Sequence, residues 1–253
     1  LSVSVSDNFH YKPGDYVYIN CKEISSTEWY PFNIIQRNSE GHLVLHVKSN
    51  DRWSKELYDK TLRVIEKDAA LDWMIRLDGP YGESSESIID TEHAVLVGGG
   101  HGISRIAPIL QDIALRLNND SNKILLKRID LHWIIEDHAY FEWFTKLLQD
   151  INDDSDMFNY NIYFVDKSPD SFNEKLMYIA TNAVDKSTKV SLIDNLWDIT
   201  NFGLPNWNDK LTESRKKFSD LNCSVFYSGP RKYYNALKNS CRELKIPIKK
   251  NSF

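Results

Sequence analysis

The feature that most constrains the fold of this chain is a change of pattern near residue 90. Before it, short aromatic and β-branched runs are separated by turn residues such as those at 12–15 and 38–41. The predicted strands are 16–21, 29–35, 42–49 and 73–82, with one helix over 49–62. Several short strands with a single helix predict a small antiparallel barrel, which we place at residues 1–89.

After residue 90, strand-like runs alternate with helical stretches. The predicted strands are 93–99, 128–135, 160–166 and 224–229, and the predicted helices are 103–117, 138–150, 172–184, 208–219 and 232–243. This alternation predicts a parallel sheet covered by helices, an α/β domain over residues 90–253. Residues 184–207 are interpreted as a loop-rich insertion.

Composition and charge exclude several classes of function. The chain has 253 residues and a net charge of −5, and it contains no basic stripe, so nucleic acid is not an expected partner. Its three cysteines form no C-x-x-C pair, which predicts a reducing compartment and no metal site. No apolar run reaches the roughly 18–20 residues that cross a bilayer, so the chain as given is expected to be soluble. Because it begins at Leu1 without a signal peptide, we expect a piece of a longer protein.

The stretch VLVGGGHGIS, residues 95–104, predicts a buried strand that enters a glycine cluster and then a helix. Glycines at such a junction let backbone N–H groups approach a phosphate. The spacing is Gly98-x-Gly100-x-Gly102, and Ile103 stands where a dinucleotide fingerprint has its third glycine. The glycines alone therefore leave two interpretations open, a nucleotide loop or a tight turn.

Three segments fall at predicted carboxyl ends of parallel strands, where ligands of open α/β sheets bind. They are residues 98–102, Glu136 and the Ser228-Gly229-Pro230 turn. A barrel followed by such a domain favours a reductase in which the barrel holds a flavin and the sheet holds a nicotinamide dinucleotide.

Eight motifs in one order carry a resemblance to a known family. They are FHYKPGDYVYINC, EWYPFNII, LHVKSNDRWS, LDGPYG, VLVGGGHGIS, FEWF, ITNFGLPNW and VFYSGP, followed by the closing Phe253. In this order they resemble the C-terminal dehydrogenase region of the NADPH oxidase and dual oxidase family, which is related to ferric reductases. The resemblance covers nearly the whole chain. It implies a ferredoxin-NADP reductase-like fold, an antiparallel Greek-key FAD-binding barrel followed by a parallel-sheet nicotinamide-nucleotide domain.

The resemblance also implies a reaction and a cellular setting. NADPH gives a hydride to FAD, and electrons pass singly to haems in a transmembrane part of the same parent chain and on to O2, making superoxide or hydrogen peroxide. The region lies on the cytosolic face of a membrane. Regulatory cytosolic or calcium-binding domains are further expected partners.

The resemblance assigns FAD-binding residues in the first domain. They are Tyr30, Pro31, Phe32, Asn33, Lys48, Trp53 and Ser54. Trp53 and Ser54 lie at a predicted helix N-terminus, where phosphate oxygens are favoured. Phe253 matches the terminal aromatic residue that covers the flavin ring. Structural alternatives remain open: Lys48 as a solvated strand residue, Trp53 as core and Phe253 as a frayed terminus.

In the second domain the resemblance assigns residues to the nicotinamide nucleotide. They are Gly98, Gly100, Gly102, Ser104, Glu136, Gly229 and Pro230, with Ser228 and Phe253 as the catalytic pair. Ser228 replaces the cysteine of a family Cys-Gly-Pro turn.

Several departures from the family fall where the 2′-phosphate of NADPH is recognised. Glu136 and Leu204 stand in place of two arginines, and Arg105 replaces a proline after the glycine loop. An acidic residue at the end of the second strand favours a free ribose 2′-hydroxyl, which predicts NADH use or weak nucleotide binding. Arg105, Lys127 and Arg128 are candidate replacements for the lost cations. Three functions remain open: an oxidase domain, a metalloreductase domain, and a degenerate domain kept for docking or regulation.

Overall fold

The computed structural model describes residues 1–49, 51–66, 73–82, 86–118, 124–135, 157–165 and 199–251. The chain divides into two compact units, Leu1–Ser85 and Glu86–Ser252, each of which is considered by itself. The predicted domain boundary after residue 89 lies just beyond this division and stays a prediction.

The first unit is built on five antiparallel strands and a helix. The strands are β1 (Ser2–Val3), β2 (Tyr16–Cys21), β3 (Tyr30–Arg37), β4 (Leu43–Leu45) and β5 (Ile75–Tyr81), and the helix is α1 (Arg52–Glu66). Their order in the sheet is β1-β4-β3-β2-β5, and the paired strands run antiparallel. Alternating apolar residues such as Val17 and Ile19 of β2 pack against Trp53 and Leu57 of α1, which gives the unit its core.

The second unit is a parallel sheet with helices on both faces. Its elements are α2 (Glu86–Ile89), β6 (His93–Gly99), α3 (Ile103–Asn118), β7 (Arg128–Ile135), β8 (Phe158–Phe164), β9 (Thr200–Phe202), α4 (Trp207–Lys217), β10 (Cys223–Ser228), α5 (Arg231–Glu243) and β11 (Ile248–Asn251). The strand order is β11-β10-β6-β7-β8-β9, and the paired strands run parallel.

Alternation along β7 decides which helix meets which face of this sheet. Ile129, Leu131 and Trp133 pack in the apolar core that contains α3. Residues 130, 132 and 134 lie on the opposite face, where Ile134 shares a core with Trp207 of α4 and with α5. This arrangement confirms the predicted fold class, an antiparallel β domain followed by a parallel α/β domain.

Besides the two-residue β1, two strands of the second unit were not predicted, because both are short and lack an apolar run. β9 lies inside the predicted loop-rich insertion 184–207 and pairs with β8, and β11 follows α5 and pairs with β10. Their sequences, TNF and IKKN, lack the apolar runs that indicate strands. The predicted helices 138–150 and 172–184 lie outside the described residues. Within the described part of the chain, the helices are too short or too polar to cross a bilayer.

Candidate nucleotide-binding site

The glycine cluster forms a tight turn at the carboxyl end of β6. Gly100–Gly102 adopt one turn of 3-10 helix, and α3 starts at the next residue, Ile103. Gly100 has a φ of +52°, and a Cβ atom built on it would meet nothing within 4 Å. Gly100 is buried, but the lack of a side chain leaves room beside its backbone directly before a 16-residue helix, an arrangement that suits an anionic group.

Gly102 serves a different purpose, because it lets two loops touch. A Cβ atom on Gly102 would lie 2.1 Å from the carbonyl oxygen of Ser228, and one on Gly229 would lie 2.7 Å from the carbonyl oxygen of Gly99. The turn after β6 and the turn after β10 are thus in backbone contact. The predicted residues of both turns therefore lie together. Gly102 and Gly229 are required for packing of the two turns, a role that the spacing of glycines in the sequence does not distinguish from phosphate binding.

Trp133 anchors the glycine turn and was not predicted as a site residue. Its side chain is fully buried on β7, and its indole N–H donates to the carbonyl oxygen of Gly100 at 3.0 Å. Burying an indole requires a partner for this N–H, so the hydrogen bond both satisfies Trp133 and holds the turn. A tryptophan near the carboxyl end of a predicted strand was the available signal.

Of the three basic residues considered as replacements for the two family arginines, one lies near the glycine turn. Arg105 lies in the first turn of α3 beside Ser104, and both side chains are buried. Lys127 precedes β7 and Arg128 begins it, in register with His93 at the start of β6. They lie about 20 Å from the carboxyl ends of the strands, at ~3.3 Å per residue. The expectation that Lys127 or Arg128 contacts the nucleotide phosphate is therefore wrong; Lys127 instead pairs with Glu92 at 2.7 Å.

In the first unit, Tyr30, Phe32 and Trp53 form an aromatic stack. The ring centroids of Tyr30 and Trp53 are 4.8 Å apart at 19°, and those of Phe32 and Trp53 are 5.9 Å apart at 28°. Trp53 is fully buried, whereas Tyr30 is half-buried. Trp53 therefore packs against Tyr30 as a core residue. This agrees with the alternative in which Trp53 belongs to the core and does not contact the flavin directly. The indole N–H of Trp53 has no hydrogen-bond partner among the described residues.

The N-terminus of α1 is capped by the chain itself. The backbone N–H of Ser54 donates to a carboxylate oxygen of Asp51 at 2.8 Å, and the N–H of Asp51 donates to the Ser54 hydroxyl oxygen at 3.2 Å. Asp51 therefore occupies the position expected for a phosphate at Trp53 and Ser54, and its negative charge disfavours a second anion there. An aspartate at the start of the predicted helix already indicates such a cap in the sequence.

The remaining predicted residues are spread along both units. Pro31 and the buried Asn33 lie on β3, and the exposed Lys48 follows β4 instead of lying within it. Gly98 contacts Ile103, Ser228 ends β10, and Pro230 is the N-cap residue of α5. Leu204 is exposed after β9. Glu136 and Phe253 lie outside the described residues.

The glycine turn fits the pyrophosphate of a nucleotide, because no atom lies within 4 Å of the Cβ position of Gly100 and the turn directly precedes α3. Among the described residues, no three histidine, cysteine or acidic side chains gather as metal ligands.

Comparisons with known families agree with this division of the chain. Residues 1–85 match the model of an FAD-binding domain, and residues 91–242 match that of the ferric reductase NAD binding domain. Among solved structures, a ferredoxin NADP+ reductase from Neisseria gonorrhoeae with bound FAD and NADP aligns with a TM-score of 0.53 at 12% identity. The alignment covers 98% of this chain and 89% of that one. A likeness at this identity shows the shared fold.

Two curated relatives match nearly the whole chain. NADPH oxidase 1 of Mus musculus is 27% identical over 240 residues, covering 92% of this chain and 39% of the relative. Dual oxidase 2 of Homo sapiens is 29% identical over 241 residues, covering 92% of this chain and 15% of the relative. The chain therefore spans less than half the length of these relatives.

These matches confirm FAD and a nicotinamide nucleotide as the cofactors and the predicted resemblance to NADPH oxidases. The domain pair is that of an NAD(P)H-dependent flavoprotein oxidoreductase. With more than half of its residues matched by one family model, the chain belongs to the ferric reductase NAD-binding domain family, with an FAD-binding domain ahead of it.

Proposed function

We propose that this chain is the dehydrogenase region of a membrane NADPH oxidase. It takes a hydride from a nicotinamide nucleotide onto FAD and passes electrons to haems elsewhere in the parent chain, and O2 is the final acceptor. The observation that carries the proposal is the bare, left-handed turn at Gly100 immediately before α3. Relatives named NADPH oxidase 1 and Dual oxidase 2, of which this chain spans less than half, support an oxidase as the parent, and the setting on the cytosolic face of a membrane is part of the proposal.

The chain's own residues would bind and position the reactants. The turn at Gly100, held by Trp133, binds the nucleotide pyrophosphate, since its backbone N–H groups and the positive end of α3 favour an anion. The Ser228-Gly229-Pro230 turn, fixed against Gly99 and Gly102, positions the nicotinamide. Tyr30, supported by Trp53, packs against the flavin. The bound flavin supplies the hydride-accepting chemistry.

Glu136 and Leu204 give the proposed site a preference for NADH. Neither residue offers a cation to a 2′-phosphate, and Glu136 directly follows β7, where an acidic side chain accepts hydrogen bonds from a ribose 2′-hydroxyl. A carboxylate near a dianionic phosphate costs on the order of a few kcal/mol at a partly exposed site. Arg105, in the first turn of α3, is a cation near the glycine turn that opposes this preference.

Anaerobic flavin reduction tests the proposal directly. The chain is loaded with FAD, NADH or NADPH is added, and bleaching of the flavin absorbance is followed over a concentration series. We expect bleaching by both nucleotides, with the higher kcat/KM for NADH. A preference for NADPH would refute the role of Glu136, and absence of bleaching with bound FAD would favour the degenerate domain.

A matched pair of glycine variants isolates the turn. Gly100→Ala and Gly41→Ala place a methyl group at left-handed positions, φ +52° and +82°, where neither Cβ meets an atom within 4 Å. Both carry a similar backbone cost of about 1–2 kcal/mol. We expect Gly100→Ala to raise the KM for the nucleotide at least tenfold while Gly41→Ala leaves it unchanged. Equal effects of the two variants would contradict nucleotide binding at the turn.

A ferric ion is a second candidate acceptor, favoured by the ferric reductase model that matches residues 91–242. Full-length parent in membrane vesicles separates the two candidates. Superoxide formation that is insensitive to added ferric chelate supports the oxidase, whereas reduction of the chelate without superoxide supports the metalloreductase.

A further inference from the structure

One face of the central strand β7 is polar where a parallel sheet is normally apolar. Arg128, Asp130 and His132 alternate along this strand and face α4, with Asn159 and Asn161 beside them on β8. Interior strands of parallel sheets are usually apolar on both faces, because helices cover both. Asp130 and His132 are nevertheless more than nine-tenths buried.

Asp130 is the centre of a cluster of buried hydrogen bonds. It accepts from the Ser214 hydroxyl at 2.6 Å, the Arg128 Nε at 3.0 Å and the Asn159 amide at 3.1 Å, and His93 Nε2 lies 2.8 Å from it. Burial opposes ionisation of Asp130, but these hydrogen bonds and the charge of Arg128 outweigh it and lower its pKa. The carboxylate is therefore already neutralised by its neighbours and holds α4 against the sheet.

Beside this cluster lies a cavity of about 240 Å³ between α4 and the sheet. On the helix side, Lys210, Glu213 and Lys217 line it at intervals of three and four residues, which places them on one face of α4. Among the described residues, neither the Lys210 ammonium nor the Glu213 carboxylate takes part in a hydrogen bond or ion pair. On the sheet side, His132 and Asn161 complete the lining.

The charge of this lining favours an anion. Because Arg128 and Asp130 are paired, the charges left to a ligand are the ammonium groups of Lys210 and Lys217 against the carboxylate of Glu213. His132 adds no charge at neutral pH, since burial lowers its pKa to about 4. The cavity thus offers a net positive charge next to an amide donor.

The cavity is separate from the nucleotide-binding turn. In the register of the sheet, His132 and Asn161 lie level with Val97, whereas Gly100 follows the carboxyl end of β6. Along the strands these nearest residues of the cavity are roughly 10 Å from Gly100, at ~3.3 Å per residue. A ligand here therefore leaves the nucleotide turn free.

We propose that the cavity between α4 and the sheet binds a small oxyanion, an inorganic phosphate or a carboxylate, through Lys210, Lys217 and the side-chain amide of Asn161. The Asp130 cluster preorganises the site by fixing α4 against the sheet. Glu213 lines the same cavity and selects for an anion that can donate a hydrogen bond, such as a protonated phosphate or a hydroxycarboxylate.

The whole chain, labelled with ¹⁵N-asparagine and ¹⁵N-glycine, is titrated with inorganic phosphate and separately with malate at constant ionic strength. We expect saturable shifts of the Asn161 side-chain amide with at least one anion, and the anion that binds identifies the ligand class. Lys210→Met should weaken this binding about tenfold or more, the loss of one charge-assisted contact. Lys216→Met is the matched control, because it removes an exposed charge of α4 outside this cavity.

Two results would overturn the proposal. One is that neither anion gives a saturable shift at Asn161. The other is that Lys210→Met and Lys216→Met weaken binding equally, which indicates general attraction to a basic helix. Phosphate bound at the nucleotide turn is recognised separately by shifts of the Gly100 amide that Lys210→Met leaves unchanged.

Discussion

His132 should make the second unit lose stability in mild acid. Burial lowers its pKa from 6.5 to about 4, an effect that the charges of Lys210 and His93 reinforce and that of Asp130 opposes. Because the folded-state pKa is depressed, the unfolded chain binds more protons between pH 6.5 and 4. Stability is therefore full above pH 6.5 and falls through that window.

The size of the loss follows from the two pKa values. The difference between 6.5 and about 4 corresponds to about 3 kcal/mol once the pH is below both values, and to about 2 kcal/mol at pH 5. Several kcal/mol is a substantial part of the stability of an ordinary domain.

The assay is urea unfolding between pH 8 and pH 4, followed by the ¹⁹F resonance of Trp207 in protein labelled with 5-fluorotryptophan. Trp207 is a suitable reporter because its ring contacts that of His132, with centroids 5.6 Å apart. The variant is His132→Phe, which removes the titrating group and keeps an aromatic ring. We expect the difference in the free energy of unfolding between the wild type and this variant to change by about 2 kcal/mol from pH 8 to pH 5.

Tyr163→Phe is the control. The Tyr163 hydroxyl lies 3.1 Å from Nδ1 of His132, so this variant loses the hydrogen bond and keeps the histidine. It should be less stable than the wild type at every pH yet retain the loss of stability in acid. If the difference in the free energy of unfolding between the wild type and His132→Phe is constant from pH 8 to pH 4, the lowered pKa of His132 is refuted.

Three further predictions concern packing, the buried cluster and the thiols. Gly102→Ala should lower Tm, by an amount equivalent to about 3 kcal/mol or more, because its Cβ would lie 2.1 Å from the Ser228 carbonyl oxygen; an unchanged Tm in thermal unfolding would contradict the contact. Asp130→Asn should cost about 3–5 kcal/mol in urea unfolding, since it leaves Arg128 partly buried without its counter-charge; a cost below about 1 kcal/mol would show that the cluster is dispensable. Burial raises the pKa of all three thiols, to about 11 for Cys21, about 11 for Cys223 and about 12 for Cys241. The folded chain at pH 8 should therefore react with iodoacetamide much more slowly than the urea-unfolded chain. Mass spectrometry measures the labelling of each cysteine, and rapid labelling of the folded chain would contradict the prediction.

Local sequence determined most of the regular structure. The strands at 93–99 and 128–135 were predicted with the bounds that the structure shows, because their apolar residues are continuous or alternate over the full length. The glycine cluster and the order of the motifs likewise identified the two nucleotide domains. In the second unit the exceptions are β9 and β11, short segments that form strands because they pair with β8 and β10 at the edges of the sheet.

The tertiary structure alone decided what individual residues do in the site. Gly100 and Gly102 are alike in the sequence, yet one borders open space and the other meets the Ser228 carbonyl, a residue far along the chain. Arg128 and Glu136 are close in sequence, but Arg128 is the first residue of β7 and Glu136 follows its last. The length of β7 therefore separates Arg128 from the nucleotide turn. The polar cavity beside Asp130 depends on a helix that follows it by some 80 positions. Periodicity reports which face a residue occupies, whereas contacts between distant segments depend on how the strands and helices pack.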